Sequence, residues 1–200
     1  MILRNKYSYP RICYDLLERL SKQLPDYLSY HCLDHTIDVA NSSNMYIEYY
    51  GIGEDDANLI KVAAIAHDLG YIESPVEHEE RSVEMLSGII CNYDYTDHEI
   101  EQINGMIRAT KIPQKPKNFL EEIIADADLD YLGRDDYDEW SNRLYHEFLH
   151  FKVVKNEKEW VDAQINFLKN HRYHTQWAID NRVKSKMDTL QKLHEQRIAL

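Results

Sequence analysis

The stretch Val62–Tyr71 constrains the fold of this chain more than any other. It begins with the apolar run Val62–Ala66, whose small side chains predict a buried helix that other helices can approach closely. It ends in His67 and Asp68, and Gly70 then offers a flexible position at which a helix can stop. A carboxylate at the end of a buried helix is costly without a positive partner, and imidazole is a common metal ligand. The stretch therefore predicts part of a metal site inside a helical core.

The composition favours a single helical domain. The chain has 200 residues, of which 44% are hydrophobic and 29% charged, as in a packed globular protein. Only six glycines and five prolines leave room for long helices, and no segment alternates as a strand would. We predict an all-α fold of about nine helices in one domain, 1–200. The metal-site core is expected in about 26–135 and the C-terminal helices in 135–200.

Charge and hydropathy exclude several classes of protein. The net charge is −12, and no basic stripe is visible, which argues against polymeric nucleic acid as the main partner but leaves a small nucleotide open. The longest apolar run is far shorter than the roughly 20 residues that a membrane helix needs. Met1–Lys6 lack the pattern of a signal peptide, and three widely spaced cysteines predict no disulfide framework. We therefore expect a cytoplasmic protein with no membrane partner.

Caps and helix breakers set the predicted helix boundaries. Thr96 and Glu99 have the spacing of a capping box, and the prolines of Lys111–Lys117 predict an exposed basic loop. The last helix is long and charged nearly all round, so we expect its end to project or to pair with a partner such as a second copy. The predicted helices are Pro10–Gln23, about Ser29–Tyr50, Glu54–Ala66, about Glu79–Ile90, Thr96 to near Thr110, Asn118 to about Asp126, Asp135–Phe151, Glu157–His171 and Thr175 to the C-terminus.

Further histidines and acids lie where they can complete the metal site. His31 and His35 are four residues apart in the second predicted helix, which would place them on one face. Asp126 and Asp128 follow an apolar helix more than fifty residues after the His67-Asp68 doublet. Nitrogen and oxygen ligands without a thiolate suit Mn, Fe, Co, Ni or Mg better than a structural zinc site.

This arrangement resembles the HD superfamily of metal-dependent phosphohydrolases, and most closely its small bacterial predicted members. The resemblance covers about 26–135, with weaker similarity in 164–168 and 173–175. It implies that His35 is the first metal ligand, that His67 and Asp68 are the doublet, and that Asp128 is the last ligand. Asp126 is the alternative, because the Asp-x-Asp repeat leaves the register open.

Other motifs extend the resemblance. Tyr30-His31-x-x-x-His35 is similar to an element of the cyclic-nucleotide phosphodiesterases, in which the first histidine protonates the departing oxygen; Cys32 stands here in place of asparagine. The stretch His78–Ser82 is similar to the Asn-Glu-x-x-Ser stretch of the small phosphohydrolases. Tyr71 stands where the cyclic-di-nucleotide branch has lysine, which sets that branch aside.

The resemblance also implies a second shell and a phosphate site. If a second ion binds, Asp68 would bridge the two ions, with His78 and His98 as extra ligands, and Glu79 would lie beside them. Arg81 and Lys111 are the candidates for holding substrate phosphate.

The expected function is cleavage of a phosphoester in a small molecule, most plausibly a nucleotide. Water activated by one or two divalent ions would attack phosphorus, with Asp68 orienting it and His31 as general acid. Two alternatives stay open: a di-iron oxygenase of the same fold, for which extra histidine ligands are typical, and a non-catalytic module that senses a nucleotide or binds a partner.

Overall fold

The structure is a computed structural model that describes residues 8–200. Within this range the chain forms nine α-helices and two 3-10 helices and no strand, which confirms the all-α prediction. No described helix has the length and apolar character needed to span a membrane. The signal-peptide prediction concerns Met1–Lys6, which lie outside the described residues. The helices are α1 (Arg11–Gln23), α2 (Leu33–Tyr50), α3 (Glu54–Ala66), α4 (His78–Ile90), α5 (Asp97–Ala109), α6 (Phe119–Asp128), α7 (Tyr137–His150), α8 (Glu157–Asn170) and α9 (Gln176–Ala199).

The contacts divide the chain into two compact units. The first consists of Met1–Pro25, described from residue 8, and His31–Asp128, and it holds α1 to α6. The second consists of Asp26–Tyr30 and Leu129–Leu200, and it holds α7 to α9. The single domain 1–200 stays a prediction, and the change of unit after Asp128 falls close to the position 135 expected for the start of the C-terminal helices.

Helix α3 is the central element of the first unit. It packs against α1, α2, α5 and α6, and every residue from Leu59 to Ala66 is buried. A helix that is apolar on all sides is stable only inside a core, and small residues let its neighbours come close. Even Lys61 is buried, and its Nζ donates a hydrogen bond to the Ser8 carbonyl over 2.7 Å.

Helix α3 has its predicted bounds, Glu54–Ala66, but the role of Gly70 differs from the prediction. The helix ends at Ala66, and Gly70 lies further on, inside the 3-10 helix Leu69–Ile72. Its small size is needed because a Cβ atom there would lie 2.2 Å from the His78 carbonyl oxygen at the start of α4. Gly70 therefore permits a close approach of two segments, and the prediction that it ends the helix is wrong.

The start of α2 also differs from the prediction. Cys32 is the N-cap residue with extended backbone (φ −112°, ψ 175°), and the helix begins at Leu33. His31 therefore precedes the helix, so the prediction that His31 and His35 share one helical face is wrong. Their rings are still near each other, with centroids 6.0 Å apart, because the chain turns just before the helix.

The second unit is built around α9. This helix packs against α8 and against the 3-10 helix Asp130–Gly133, where Arg182 donates to both carboxylate oxygens of Asp130 over 2.8 and 3.1 Å. The last turns of α9 contact α8 through Arg197 and Asp162. The end of the last helix therefore lies against its own unit, and its pairing with a partner stays a prediction.

Candidate metal centre

Three helices of the first unit bring two histidines and an aspartate together. His35 lies in the first turn of α2, His67 directly follows α3, and Asp128 is the last residue of α6. One ligand atom from each lies within 4.8 Å of the other two. Asp128 Oδ1 is 3.2 Å from His35 Nε2 and 3.6 Å from His67 Nε2. The two imidazoles and this carboxylate thus face one small volume.

Asp68 adds a second carboxylate to this group. Its Oδ2 atom lies 3.2 Å from His67 Nε2 and 3.5 Å from His35 Nε2. The carboxylate is almost fully buried, with 5% of the side chain exposed. The structure therefore brings together all four residues that the HD resemblance implies as ligands.

The spacing of these atoms fits a divalent ion. Two atoms that each lie ~2.1 Å from one ion are about 3–3.5 Å apart at tetrahedral or octahedral angles, which matches the observed separations. His67 Nδ1 lies 2.9 Å from the Ala64 carbonyl, so the proton of the neutral ring belongs on Nδ1 and the Nε2 lone pair points into the group. His67 Nε2 and Asp68 Oδ2 are buried and make no hydrogen bond, as expected for atoms meant to ligate.

The charges of the group are mutually stabilised. Burial lowers the pKa of His67, but the carboxylates of Asp68 and Asp128 outweigh it and hold that pKa well above its ordinary value. Burial raises the pKa of Asp68, but the neighbouring His67 outweighs this effect and holds the pKa well below its usual range. For Asp128, burial also raises the pKa, but the adjacent imidazoles of His35 and His67 outweigh this effect and lower the pKa to about 2. A proton on His67 would therefore compete with a divalent cation for these carboxylates.

The structure distinguishes the two aspartates of the Asp-x-Asp repeat. Asp126 and Asp128 both lie in α6, and residues two apart on a helix point in nearly opposite directions. Asp126 is fully buried, but among the described residues it is not a member of the three-residue group that contains Asp128. The geometry therefore favours Asp128 as the last ligand.

His78 and Glu79 lie beside the group. His78 Nε2 is 3.5 Å from Asp68 Oδ1, the carboxylate oxygen that does not face His35 and His67, and 3.6 Å from Glu79 Oε1. Glu79 is buried in the first turn of α4. Asp68 thus presents one carboxylate oxygen to His35 and His67 and the other to His78. A carboxylate that bridges two ions needs this arrangement.

His31 lies beside the group and packs against Tyr71. The two rings are stacked, with centroids 4.0 Å apart, and the Tyr71 hydroxyl lies 3.0 Å from His31 Nε2. The Tyr71 ring also lies against His78, with centroids 4.3 Å apart. No sequence pattern assigned Tyr71 a role at the site, because its contact with His31 joins residues forty positions apart.

Ser82 is a second residue whose position the sequence did not predict. It is fully buried in α4, and its hydroxyl donates to the His67 carbonyl over 2.7 Å and accepts from the Gly70 amide over 2.8 Å. It therefore ties α4 to the backbone of the His67-Asp68 doublet. The sequence signal for Ser82 was its position at the end of the stretch His78–Ser82 that resembles the small phosphohydrolases.

The basic candidates for phosphate binding lie outside the metal group. Arg81 donates from Nε to the Val76 carbonyl, and Lys111 forms an ion pair with Glu77. Both side chains are partly exposed, so their role toward substrate stays a prediction. His98 is exposed at the start of α5 and is not a member of the group that the described residues form.

The buried cluster of two imidazoles and two carboxylates, held at helix ends, defines a helical protein with a candidate site for a divalent metal ion. The family model described as "HD domain" matches residues 32–135, just over half of the chain, and the chain belongs to this family. HD domains bind divalent metals and are typical of metal-dependent hydrolases, and the matched range includes all four residues of the cluster. No curated protein and no solved structure is significantly similar to the chain, so the likeness to small bacterial members stays a prediction.

Proposed function

We propose that the protein is a metal-dependent phosphohydrolase that cleaves a phosphoester in a small molecule, with a nucleotide as the favoured substrate class. The observation that carries the proposal is the convergence of His35, His67, Asp68 and Asp128 on one volume. The net charge of −12 supports a small substrate over a nucleic-acid polymer. The three cysteines are free thiols, which fits a reducing compartment such as the cytoplasm.

The donor set indicates what a bound ion would contribute. When bound, a divalent ion supplies Lewis-acid polarisation and lowers the pKa of water to near ~7. The four residues would hold it, and the mixed nitrogen and oxygen donors suit Mn, Fe, Co, Ni or Mg. The separate oxygen that Asp68 presents toward His78 supports a site for a second ion.

His31 and Tyr71 supply a route for the proton of the leaving group. A tyrosine hydroxyl donates to a neutral imidazole and accepts from a protonated one, so the pair stays hydrogen-bonded in both states. His31 is half-buried and precedes α2. We assign His31 as the general acid and Tyr71 as the residue that orients it.

The proposal is tested by metal analysis followed by phosphate release. Purified protein is assayed for bound metals and then for phosphate release from a panel of nucleotides, with each candidate ion added under anaerobic conditions. Replacing Asp68 by asparagine removes one negative charge at the centre of the group, and we expect turnover to fall by at least about 100-fold.

The matched control is Asp138→Asn at an exposed position of α7, which should leave turnover unchanged. Circular dichroism should show that both variants keep their helices. An Asp68→Asn protein with full turnover would contradict the assignment of the centre.

A di-iron oxygenase is the second candidate, and the position of His78 near Asp68 is the observation that favours it. Iron content together with oxygen-dependent turnover would support this alternative. Turnover with Mn or Mg in the absence of oxygen would oppose it. Nucleotide binding without bound metal and without hydrolysis would instead support a non-catalytic module.

A further inference from the structure

A second site lies beside α5 in the first unit. A cavity of about 740 Å³ opens there, between one face of α5, the basic loop Lys111–Lys117 and the start of α6. Its volume lies within the range of about 300–1,000 Å³ typical of small-molecule sites. Neither His35, His67, Asp68 nor Asp128 lines this cavity.

The cavity lies on the outer face of α5. The lining residues His98, Gln102, Gly105 and Ala109 recur at spacings of three and four and therefore share one face of the helix. The residues of the opposite face, Ile103 and Ile107, are buried in the core. The cavity is thus separated from the core by the helix itself.

The lining of the cavity is basic in an acidic protein. It contains four cationic side chains, Arg108, Lys111, Lys115 and Lys117, against the two acids Glu101 and Glu121. The protein as a whole has a net charge of −12, so this local excess of positive charge is unusual for the chain. An anion would be attracted here more than to most of the surface.

The four cations are not equally engaged. Arg108 is held by Glu80, with nitrogen–oxygen distances of 2.8 to 3.0 Å, and Lys111 is paired with Glu77. The ammonium groups of Lys115 and Lys117 have no partner among residues 8–200. These two lysines are therefore the groups that can bind a ligand anion without breaking an existing pair.

The loop that carries the two lysines is fixed to α6. Gln114 Nε2 donates to the Ala125 carbonyl over 2.9 Å, and the Lys117 amide donates to Glu121 Oε2 over 2.6 Å. Glu121 Oε1 also accepts from Asn118 Nδ2 over 2.9 Å, so the negative charge of this acid is already satisfied within the protein. A loop held in this way presents its charges at less entropic cost than a free one.

We propose that this cavity binds a small organic phosphate of nucleotide size, at a site separate from the metal centre. Lys115 and Lys117 would contact the phosphates, since ammonium groups serve as point charges for phosphate. Ala109, Ile112 and Pro113 give the cavity apolar lining for the organic part of the ligand. Both lysines belong to the exposed basic loop Lys111–Lys117 that the sequence predicts, and neither is a candidate ligand of the metal centre.

The test is calorimetric binding of ATP to the full chain after bound metal has been removed by a chelator. ATP should bind, pyrophosphate should bind more weakly and adenosine should not bind measurably. Because the readout is binding without turnover, its result is independent of whether the protein proves to be a phosphohydrolase.

Two variants locate the binding. Lys115→Gln with Lys117→Gln removes the phosphate contacts, and Gln102→Trp fills the cavity without changing its charge; each should weaken ATP binding about tenfold. The matched control is Lys155→Gln with Lys158→Gln, which makes the same change of charge at exposed positions of the second unit and should have no effect. Thermal melts confirm that each variant is folded.

Several results would overturn the proposal. Absence of ATP binding would overturn it. An equal loss of ATP affinity in the Lys115/Lys117 variant and in the Lys155/Lys158 control would also overturn it. Loss of binding on neutralising Lys115 and Lys117, with none in Gln102→Trp, would show diffuse attraction to the surface and not occupancy of the cavity. Pyrophosphate binding as tight as that of ATP would overturn the assignment of an organic ligand.

Discussion

At the scale of single residues, Tyr71 connects the candidate metal centre to the proposed proton donor. Its ring packs against those of both His31 and His78, and its hydroxyl lies 3.0 Å from His31 Nε2. The stack fixes the plane of the His31 ring, while the hydrogen bond fixes its rotation. The two contributions can be separated, because phenylalanine keeps the ring and loses the hydroxyl.

We predict that Tyr71→Phe lowers kcat by about 10- to 100-fold, at or below the low end of what general acid catalysis contributes, and leaves the bound metal unchanged. The measurements are steady-state kinetics and metal content on the same preparation. Tyr93→Phe is the control, since its hydroxyl pairs with Asp15 at an exposed position. A parallel loss of metal and kcat would show that Tyr71 supports the ligands instead.

The sequence was sufficient to select the four residues that cluster in the structure but not to predict the contacts around them. His67 and Asp68 could be predicted because an acid is misplaced at the end of an apolar helix unless it binds something positive. The stack of Tyr71 on His31 depends on tertiary packing, which no local pattern encodes. The choice between Asp126 and Asp128 likewise needed the orientation of α6.

At the scale of elements, the 3-10 helix Leu69–Ile72 and the start of α4 form a tight junction beside the ligands. Gly70 allows the His78 carbonyl to approach, and Ser82 links the backbone of both segments to His67. The position of His78 relative to Asp68 therefore depends on this junction and not on α4 alone.

We predict that Gly70→Ala destabilises the protein by about 1–3 kcal/mol, because the new methyl group meets backbone that cannot move freely. Metal affinity should fall with it, since the start of α4 must shift. Gly88 is an exposed residue of α4, and a Cβ atom built there would have no neighbour within 4 Å. Gly88→Ala should therefore stabilise the protein by about 0.5–1 kcal/mol. Thermal unfolding and metal titration of the two variants measure both changes in stability and the change in metal affinity. Equal changes in stability would contradict the close approach of the His78 carbonyl to Gly70.

Element boundaries were predicted well where a local signal exists. Thr96 and Glu99 form the expected capping box, and Gly51 ends α2 with a positive φ of 61°. The prediction failed at His31, because the extended Cys32 begins the helix later than the apolar pattern suggests. It also failed at Gly70, where the requirement for glycine comes from a neighbour distant in sequence.

At the scale of the whole molecule, the candidate centre belongs entirely to the first unit. Its stability without metal should depend on pH through the groups that face one another there. The raised pKa of His67 contributes stability that is complete below about pH 6.5 and is lost as the pH rises through its folded value. The lowered pKa values of Asp68 and Asp128 contribute stability above about pH 4 that is lost as the pH falls through their folded values, which is about 2 for Asp128.

We therefore predict that added metal raises Tm more at pH 8 than at pH 6, because the ion replaces a proton that the apo group holds less well at high pH. Differential scanning fluorimetry with and without the ion at each pH measures the difference. Asp128→Asn should abolish the shift. An ion effect that is equal at both pH values would contradict proton–metal competition at His67.

The complete burial of α3 has a consequence for how such a chain can change over time. Substitutions along Leu59–Ala66 meet neighbours on every side, so this rod is the part of the molecule least free to vary. The backbone of His67 and Asp68, which follow this helix, is therefore held in place whether or not their side chains bind a cation. A descendant could exchange one ligand, and with it lose its chemistry, while keeping the same shape for a different task.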